Sequence, residues 1–270
     1  MSMQIVFVGG GNMATALISG LMGQSYPPSQ ILVVEPFEDA RLKLAANFGV
    51  STLPSASSDL TGADLMIWAI KPQTFQAAAA SCLPYLGNTL HLSVAAGVTS
   101  DSIAAWLNAD RVVRAMPNTP ALIGKGITGL FARHAVTSDD QRVVEQVVAS
   151  TGEYLWMTAE TQLDAVTALS GSGPAYMFYF MEAMTEAGVA MGLSASQAQQ
   201  LAVATFIGAG ELAKRSSDPV EVLRERVTSK GGTTYAALMS MEASHIKPLF
   251  IQAMQAACNR AAELGVEFGR

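Results

Sequence analysis

Two stretches of the chain carry residues whose types and spacing suit chemistry. One is Gly9-x-Gly11-x-x-Ala14, which follows an apolar strand and opens a helical pattern. In such a turn the first glycine allows a tight bend, the second lets a pyrophosphate approach the backbone, and the small third residue lets helix pack on strand. The phosphates would lie on the free amides at the positive end of the helix. A glycine-rich turn without a ligand is the alternative. The other stretch is Val227-Thr228-Ser229-Lys230-Gly231-Gly232-Thr233-Thr234, with its hydroxyls and a Gly-Gly backbone free to turn amides inward ahead of a helix beginning at Thr233 or Thr234. Amides at a helix start hold carboxylates, and Lys230 adds positive potential if it faces inward. An ordinary Ser/Thr helix cap is the alternative. Together the two stretches point to a dinucleotide-dependent reductase of a small carboxylated substrate.

Other ionisable groups suited to catalysis are scarce. His91, His134 and His245 are scattered, with no companions forming a triad or a metal site, so no metal is expected and each reads as structural. Hydride transfer to a pre-formed imine would explain this scarcity, since the cofactor carries the hydride and the protein need only orient the partners and offer a hydrogen bond to nitrogen. Glu35 ends the second strand, where an acid can accept from an adenosine ribose. A carboxylate there repels a 2'-phosphate and leans the chain toward NADH over NADPH, although Arg41 is close enough in sequence to reverse this. A solvated strand end is the alternative reading of Glu35.

The elements that must position these groups follow from periodicity. Residues 3–8, 31–34, 65–70, 90–94 and 112–116 are short, continuously apolar strands, separated for the most part by helical segments. That pattern gives an α/β, Rossmann-type domain with a mainly parallel sheet covered by helices on both faces. Residues 126–133 and 153–157 add two late strands. Beyond about residue 160 the strand signal stops, so the expected organisation is a dinucleotide-binding domain over 1–160 and an all-helical domain over 161–270. Helix over 164–193 is interrupted at 170–174, with Pro174 in the first turn of the restart. Its continuation, residues 176–181, is apolar all round and should be buried on every side. Ser194 with Gln197 forms a capping box, Asp218-Pro219 starts another helix, and a break falls near 246–248.

Bulk properties narrow the function. The chain has 270 residues, half of them hydrophobic and only 14% charged, which predicts surface buried between subunits as well as within one. A formal charge of -6 without a dense Lys/Arg cluster argues against a nucleic-acid partner. Cys82 and Cys258 form no metal or disulfide pattern and read as reduced thiols. No apolar run is long enough for a membrane span, and no leader precedes the first strand. A cytoplasmic enzyme is expected.

Six segments, in order, resemble pyrroline-5-carboxylate reductases: Gly9 to Ala14, residues 69–72 (AIKP), 93–98 (SVAAGV), 114–121 (RAMPNTPA), 169–176 (LSGSGPAY) and 227–234. The resemblance spans nearly the whole chain. It implies reduction of the cyclic imine L-1-pyrroline-5-carboxylate to L-proline by NADPH or NADH, the last step of proline biosynthesis. It also implies a helical dimerisation domain that interlocks as a homodimer, with decamers of five dimers in some members, and a substrate site where the cofactor domain meets the helices of the dimer. By position, Gly9, Gly11, Asn12 and Met13 would contact the pyrophosphate and Glu35 would meet the adenosine ribose or its phosphate. Ala69, Lys71 and Pro72, with Ala95, Ala96 and Gly97, would line the nicotinamide end, and Met116, Pro117 and Asn118 would wall it. Ser229 and the amides of Gly231, Gly232 and Thr233 would take the substrate carboxylate. Thr234 would donate to the imine nitrogen as the catalytic hydroxyl. Two positions depart from the pattern: Lys230 stands where many members have proline, and Glu35 where many have a small hydroxyl residue, so the common use of NADPH is not carried over.

Two other readings compete. A beta-hydroxyacid dehydrogenase shares a similar cofactor domain, but its catalytic lysine follows a glycine-rich stretch, and here no lysine follows Gly171 and Gly173 until Lys214. A non-catalytic NAD(P)-binding sensor would bind cofactor without needing a hydroxyl at Thr234. Turnover of the imine separates all three.

Overall fold

The computed structural model describes residues 3–269. Eight strands form one sheet in the order β3-β2-β1-β4-β5-β6-β7-β8. They are β1 (Ile5–Val8), β2 (Ile31–Val34), β3 (Ser51–Leu53), β4 (Leu65–Trp68), β5 (Leu90–Ser93), β6 (Val112–Met116), β7 (Gly126–Ala132) and β8 (Gly152–Trp156). Strands β1 to β6 pair in parallel, as the expected α/β class requires. The β6–β7 pair is antiparallel. Its connection is only a 3-10 turn over Thr119–Ile123, too short for the crossover that a parallel neighbour needs. Strand β3 is absent from the sequence reading because its three residues, Ser-Thr-Leu, form a polar edge without a buried run.

The continuous apolar strands are buried on both faces. In β1, Ile5 and Phe7 join the cluster packed under α1 (Asn12–Gly23) and α5 (Ser138–Ala149), while Val6 and Val8 join the opposite cluster under α3 (Pro72–Cys82) and α4 (Ser100–Leu107). Successive side chains on a strand point to opposite faces, so a run such as Leu65-Met66-Ile67-Trp68 feeds both cores at once. Each fully buried Leu, Ile or Phe contributes roughly 1.5–3 kcal/mol. Helix α2 (Glu38–Phe48) adds only Leu44 to the buried set.

The chain divides into two compact units, one of residues 1–172 with 257–270, the other of residues 173–256. Short α6 (Gln162–Val166) belongs to the first and packs on β7 at Gly129, where a Cβ would come within 2.8 Å of Val166. The interruption expected at 170–174 is a π-helical turn over Thr167–Gly171 and a single bend at Ser172, and Pro174 stands in the first turn of α7 (Gly173–Ala190).

The second unit holds α7, α8 (Ala195–Arg215), α9 (Val220–Arg226), α10 (Thr233–Ala243) and the first part of α11 (Ile246–Phe268). Ser194 and Gln197 form the capping box of α8. Helices α7 and α8 pack through small residues, with Gly188 against Ala198. The break before α11 falls at Ser244-His245, slightly earlier than expected, with Pro248 in the new first turn. One expectation fails within a single chain: α7 is not buried on every side, since Phe178 and Tyr179 are 63% and 69% exposed. An all-apolar stretch requires burial, but one subunit's own helices do not supply it. Among the described residues no helix is long and apolar enough to cross a membrane.

Candidate functional site

Parallel strands direct all their C-terminal ends to one edge, and the strand order reverses between β1 and β4. Ligands of such sheets bind outside that switch point. The loops leaving β2, β1, β4, β5 and β6 carry, in that order, Glu35; Gly9 to Met13; Ala69, Lys71 and Pro72; Ala95 to Gly97; and Met116 to Asn118. Thus all the residues assigned to the cofactor are gathered along one edge, across about 19 Å at the usual strand spacing. The ladder carries on into these loops: Gly9 N donates to Val34 O, Ala69 N to Val8 O and Val94 N to Trp68 O, at 2.8, 2.8 and 3.1 Å.

The glycine turn has a distinct reason at each position. Gly9 has φ +98°, and a Cβ there would stand 2.5 Å from Ala69 O, so the turn and the next loop can touch only at a glycine. A Cβ on Gly11 would meet nothing within 4 Å, so this chain leaves space above it. Gly11 caps α1 without a side-chain acceptor, and the first turn of α1 has no acidic residue. The first amides of a helix have no partners inside it, so Gly11, Asn12 and Met13 open onto a space suited to a pyrophosphate. Ala14 is fully buried beneath them.

Glu35 is not a solvated strand end. It is 7% exposed, and its carboxylate accepts from Gly10 N at 2.8 Å through Oε2 and from Phe37 N at 3.0 Å through Oε1. The group therefore fixes the glycine turn by taking its middle amide. Arg41 Nη1 donates to the carbonyls of Glu35 and Pro36 at 2.9 and 2.8 Å, which holds the guanidinium at the same strand end.

At the other end of the edge the backbone is half-buried to buried. Lys71 is exposed and is the N-cap of α3, with Pro72 at its first position and no side-chain cap. Asn118 Oδ1 accepts from Ile127 N at 3.0 Å, so part of its side chain pins β7. Met116 packs its Cε against Gly171, where a Cβ would collide with it. That contact explains one glycine of the 169–176 segment as a packing requirement.

Buried beneath this end is a group that sequence reasoning missed. Arg114, 8% exposed on β6, donates from Nη1 to Glu160 Oε1 at 2.7 Å. Glu160 also accepts from Ser100 N at 2.6 Å and Ser100 Oγ at 2.5 Å. The nearby Asp164 carboxyl titrates above its ordinary range, because burial and the Glu160 charge raise it more than Arg114 lowers it. The signal was an arginine inside the apolar run Val112-Val113-Arg114-Ala115-Met116, since a charge in a buried strand demands a partner.

In the second unit the expected substrate residues lie together at the start of α10. Gly232 N donates to Ser229 O at 3.0 Å and closes the turn, and Gly231 takes φ +76°. Ser229 Oγ lies 2.6 Å from where a Gly232 Cβ would stand, so the hydroxyl lies against the turn. Gly232 caps α10 without a side-chain bond, which opens the helix start to an anion in the same way as at α1. Thr228 is not part of this opening, since its hydroxyl is spent on Arg224 O at 2.6 Å. Lys230 is exposed and Thr234 half-buried. His91 is fully buried, accepts from Trp68 Nε1 at 3.3 Å and is pushed down to about 4, first by burial and then by the Arg111 charge. Among the described residues, no cluster of three or more His, Cys, Asp or Glu is placed to hold a metal.

The family model described as pyrroline-5-carboxylate reductase dimerisation matches residues 160–264, and that described as NADP oxidoreductase coenzyme F420-dependent matches residues 4–97. The chain is 42% identical to a pyrroline-5-carboxylate reductase of Pseudomonas aeruginosa over 99% of its own length and 98% of the relative's. It is 38% identical to that of Haemophilus influenzae, covering 98% of each. Among solved structures, a pyrroline-5-carboxylate reductase from Coxiella burnetii superposes with a TM-score of 0.92 at 37% identity, covering 98% of this chain and 99% of that one. A pyrroline carboxylate reductase from Plasmodium falciparum with NADP bound superposes with a TM-score of 0.86 at 28% identity, covering 97% and 98%. Full-length likeness in sequence, together with a matching sheet and helical region, places the chain in the pyrroline-5-carboxylate reductase family.

Proposed function

We propose that the chain reduces L-1-pyrroline-5-carboxylate to L-proline, and that the residues gathered above carry out that reduction. Likeness to reductases of this substrate along 99% of the chain carries the reading. The open start of α1 supports the cofactor half, since a Cβ on Gly11 would meet none of the described residues within 4 Å. The cofactor is a nicotinamide nucleotide, which supplies the hydride when bound. The amides of Gly11, Asn12 and Met13 hold its pyrophosphate, and Gly9 lets their turn lie against Ala69. Ala69, Lys71 and Pro72, with Ala95, Ala96 and Gly97, orient the ring, and Met116, Pro117 and Asn118 limit water beside it. In the 161–270 domain, Ser229 and the amides of Gly231 and Thr233 hold the substrate carboxylate, whereas the Gly232 amide, expected to join them, is taken up by Ser229 O within the turn. The Thr234 hydroxyl would donate a hydrogen bond to the imine nitrogen; as the ring carbon takes the hydride, the nitrogen takes one proton from water, and the two together give the product amine. One aligned donor of this kind contributes about 1–3 kcal/mol.

NADH is the preferred cofactor in this reading. The Glu35 carboxylate lies where a 2'-phosphate would add a second negative charge, and Arg41 beside it softens that repulsion. Glu35→Ser should shift the ratio of the two efficiencies toward NADPH by about three- to tenfold. It should also cost about 1 kcal/mol or more of stability, because the Gly10 and Phe37 amides lose their acceptor. An unaltered ratio would remove Glu35 from cofactor selection.

The working form is a homodimer in the cytoplasm, with the exposed apolar face of α7 as part of the contact; sedimentation distinguishes it from a decamer of five dimers. The direct test adds pyrroline-5-carboxylate to the protein with NADH or NADPH and follows the nicotinamide absorbance. Turnover to proline is expected, faster with NADH. No turnover with either cofactor would overturn the reductase reading and leave the sensor reading in its place.

A further inference from the structure

We infer that Glu160 is a positioning residue for the nicotinamide end of the site, acting through the loop that joins β5 to α4. This rests on the functional reading above, in which Ala95, Ala96 and Gly97 orient the ring. The loop is tied at its start by Ala95 N donating to Ser93 Oγ at 3.3 Å. At its end, Ser100 is held twice by Glu160, backbone N at 2.6 Å and Oγ at 2.5 Å. Glu160 lies 60 residues further along the chain, in the turn between β8 and α6. Its carboxylate is anchored by Arg114, whose side chain is 10% exposed and which stands opposite Ser93 in the β5–β6 register.

The arrangement is more specific than a helix cap. Thr99 already caps α4 by accepting from Ser102 N. Glu160 therefore adds a charged acceptor at the positive end of α4, where an anion is favoured. The same carboxylate joins β6, just before Met116, to the loop just after Gly97. One group thus sets the spacing between two of the loops expected to flank the ring. From the other side, Leu264 of α11 packs against Gly97, 3.1 Å from where a Cβ would stand, and Gly269 O accepts from Ser102 Oγ at 2.9 Å. A loop held at both ends is ordered before the cofactor arrives, and pre-ordering lowers the entropic cost of binding.

The test uses full-length protein and two readouts, the dissociation constants of NADH and NADPH from fluorescence and the separate KM values of cofactor and imine. Glu160→Gln keeps the shape and removes the charge. It should weaken cofactor binding about tenfold and raise the cofactor KM in step, with the imine KM changed less than about twofold. A lower melting temperature with unchanged cofactor dissociation constants would mean that Glu160 only holds the fold together, and would overturn the inference. If Glu160→Gln yields no folded protein, Ser100→Ala decides, because it spares the Arg114–Glu160 pair. It should weaken cofactor binding about threefold, and unchanged binding would overturn the inference. If the wild-type protein binds cofactor but turns over no imine, the functional reading fails alone, and the dissociation constants still decide the role of Glu160.

Discussion

The two compact units handle the same hydrophobic composition in opposite ways. In the sheet unit the apolar residues of β1, β2, β4, β5 and β6 are buried within the unit itself, and Trp68, Phe7 and Phe75 are fully enclosed. In the helical unit, α7 and α8 leave Phe178, Tyr179, Leu201, Ile207 and Leu212 at 57–69% exposure. A two-faced sheet flanked by helices closes its own core. A few helices with small-residue contacts between them do not, and their outer faces require another surface. The difference teaches that the cofactor edge is built by one subunit's local stability, whereas the helical region depends on assembly, in keeping with its match to a dimerisation model.

The largest effect should come from attacking the exposed face. If the exposed face of α7 forms the proposed dimer contact, Phe178→Glu should abolish that dimer and lower turnover by more than about a thousandfold, since burying a charge in an apolar contact costs several kcal/mol. Cofactor binding, a property of the sheet unit, should persist. Sedimentation and nucleotide fluorescence on one preparation check both halves, and loss of cofactor binding together with the dimer would break the comparison.

Within the sheet unit, Gly11→Val places a branched side chain in the open space above α1, where the backbone φ of -76° accepts it. Cofactor affinity should fall about a hundredfold, close to 3 kcal/mol, with the melting temperature unchanged. A dissociation constant near the wild-type value would move the pyrophosphate elsewhere.

The closed core also predicts an acid limit. His91 titrates at about 4 in the fold against 6.5 when exposed, so between those values the unfolded chain takes up a proton that the folded chain refuses. Stability from this group is therefore complete above about pH 6.5 and is lost as the pH falls toward 4, by about 3 kcal/mol in all. His91→Asn keeps an acceptor for Trp68 Nε1 and should flatten that part of the stability profile. An unchanged slope in urea melts from pH 7 to 4 would assign acid sensitivity to other groups.

The smallest of these effects belongs to the helical unit. Thr234→Ala should lower turnover about tenfold, on the scale of one lost donor, and leave cofactor affinity as it was. Unchanged kinetics would remove the hydroxyl from the chemistry.

Several features were legible in the sequence because they are local. Strand runs such as Leu65 to Trp68, the Ser194–Gln197 capping box and the glycine turn each state their structure within a few residues. Strand β3 was not legible, because a short polar edge strand is defined by its pairing with β2 rather than by its own composition. The burial of Glu35 was also hidden: no local pattern shows that the glycine turn folds back and presents the Gly10 amide to its carboxylate. The Arg114–Glu160–Ser100 group joins residues 46 and 60 positions apart, and no spacing rule connects them.

By itself the sequence determined the alternation of strands and helices and the order of the segments that mark the family, since each depends on residue type and short-range periodicity. Tertiary structure decided which edge gathers the loops, that Glu35 serves the glycine turn and that Arg114 has a partner. These depend on which atoms meet across the fold, and such meetings follow from packing a whole sheet rather than from any stretch of chain.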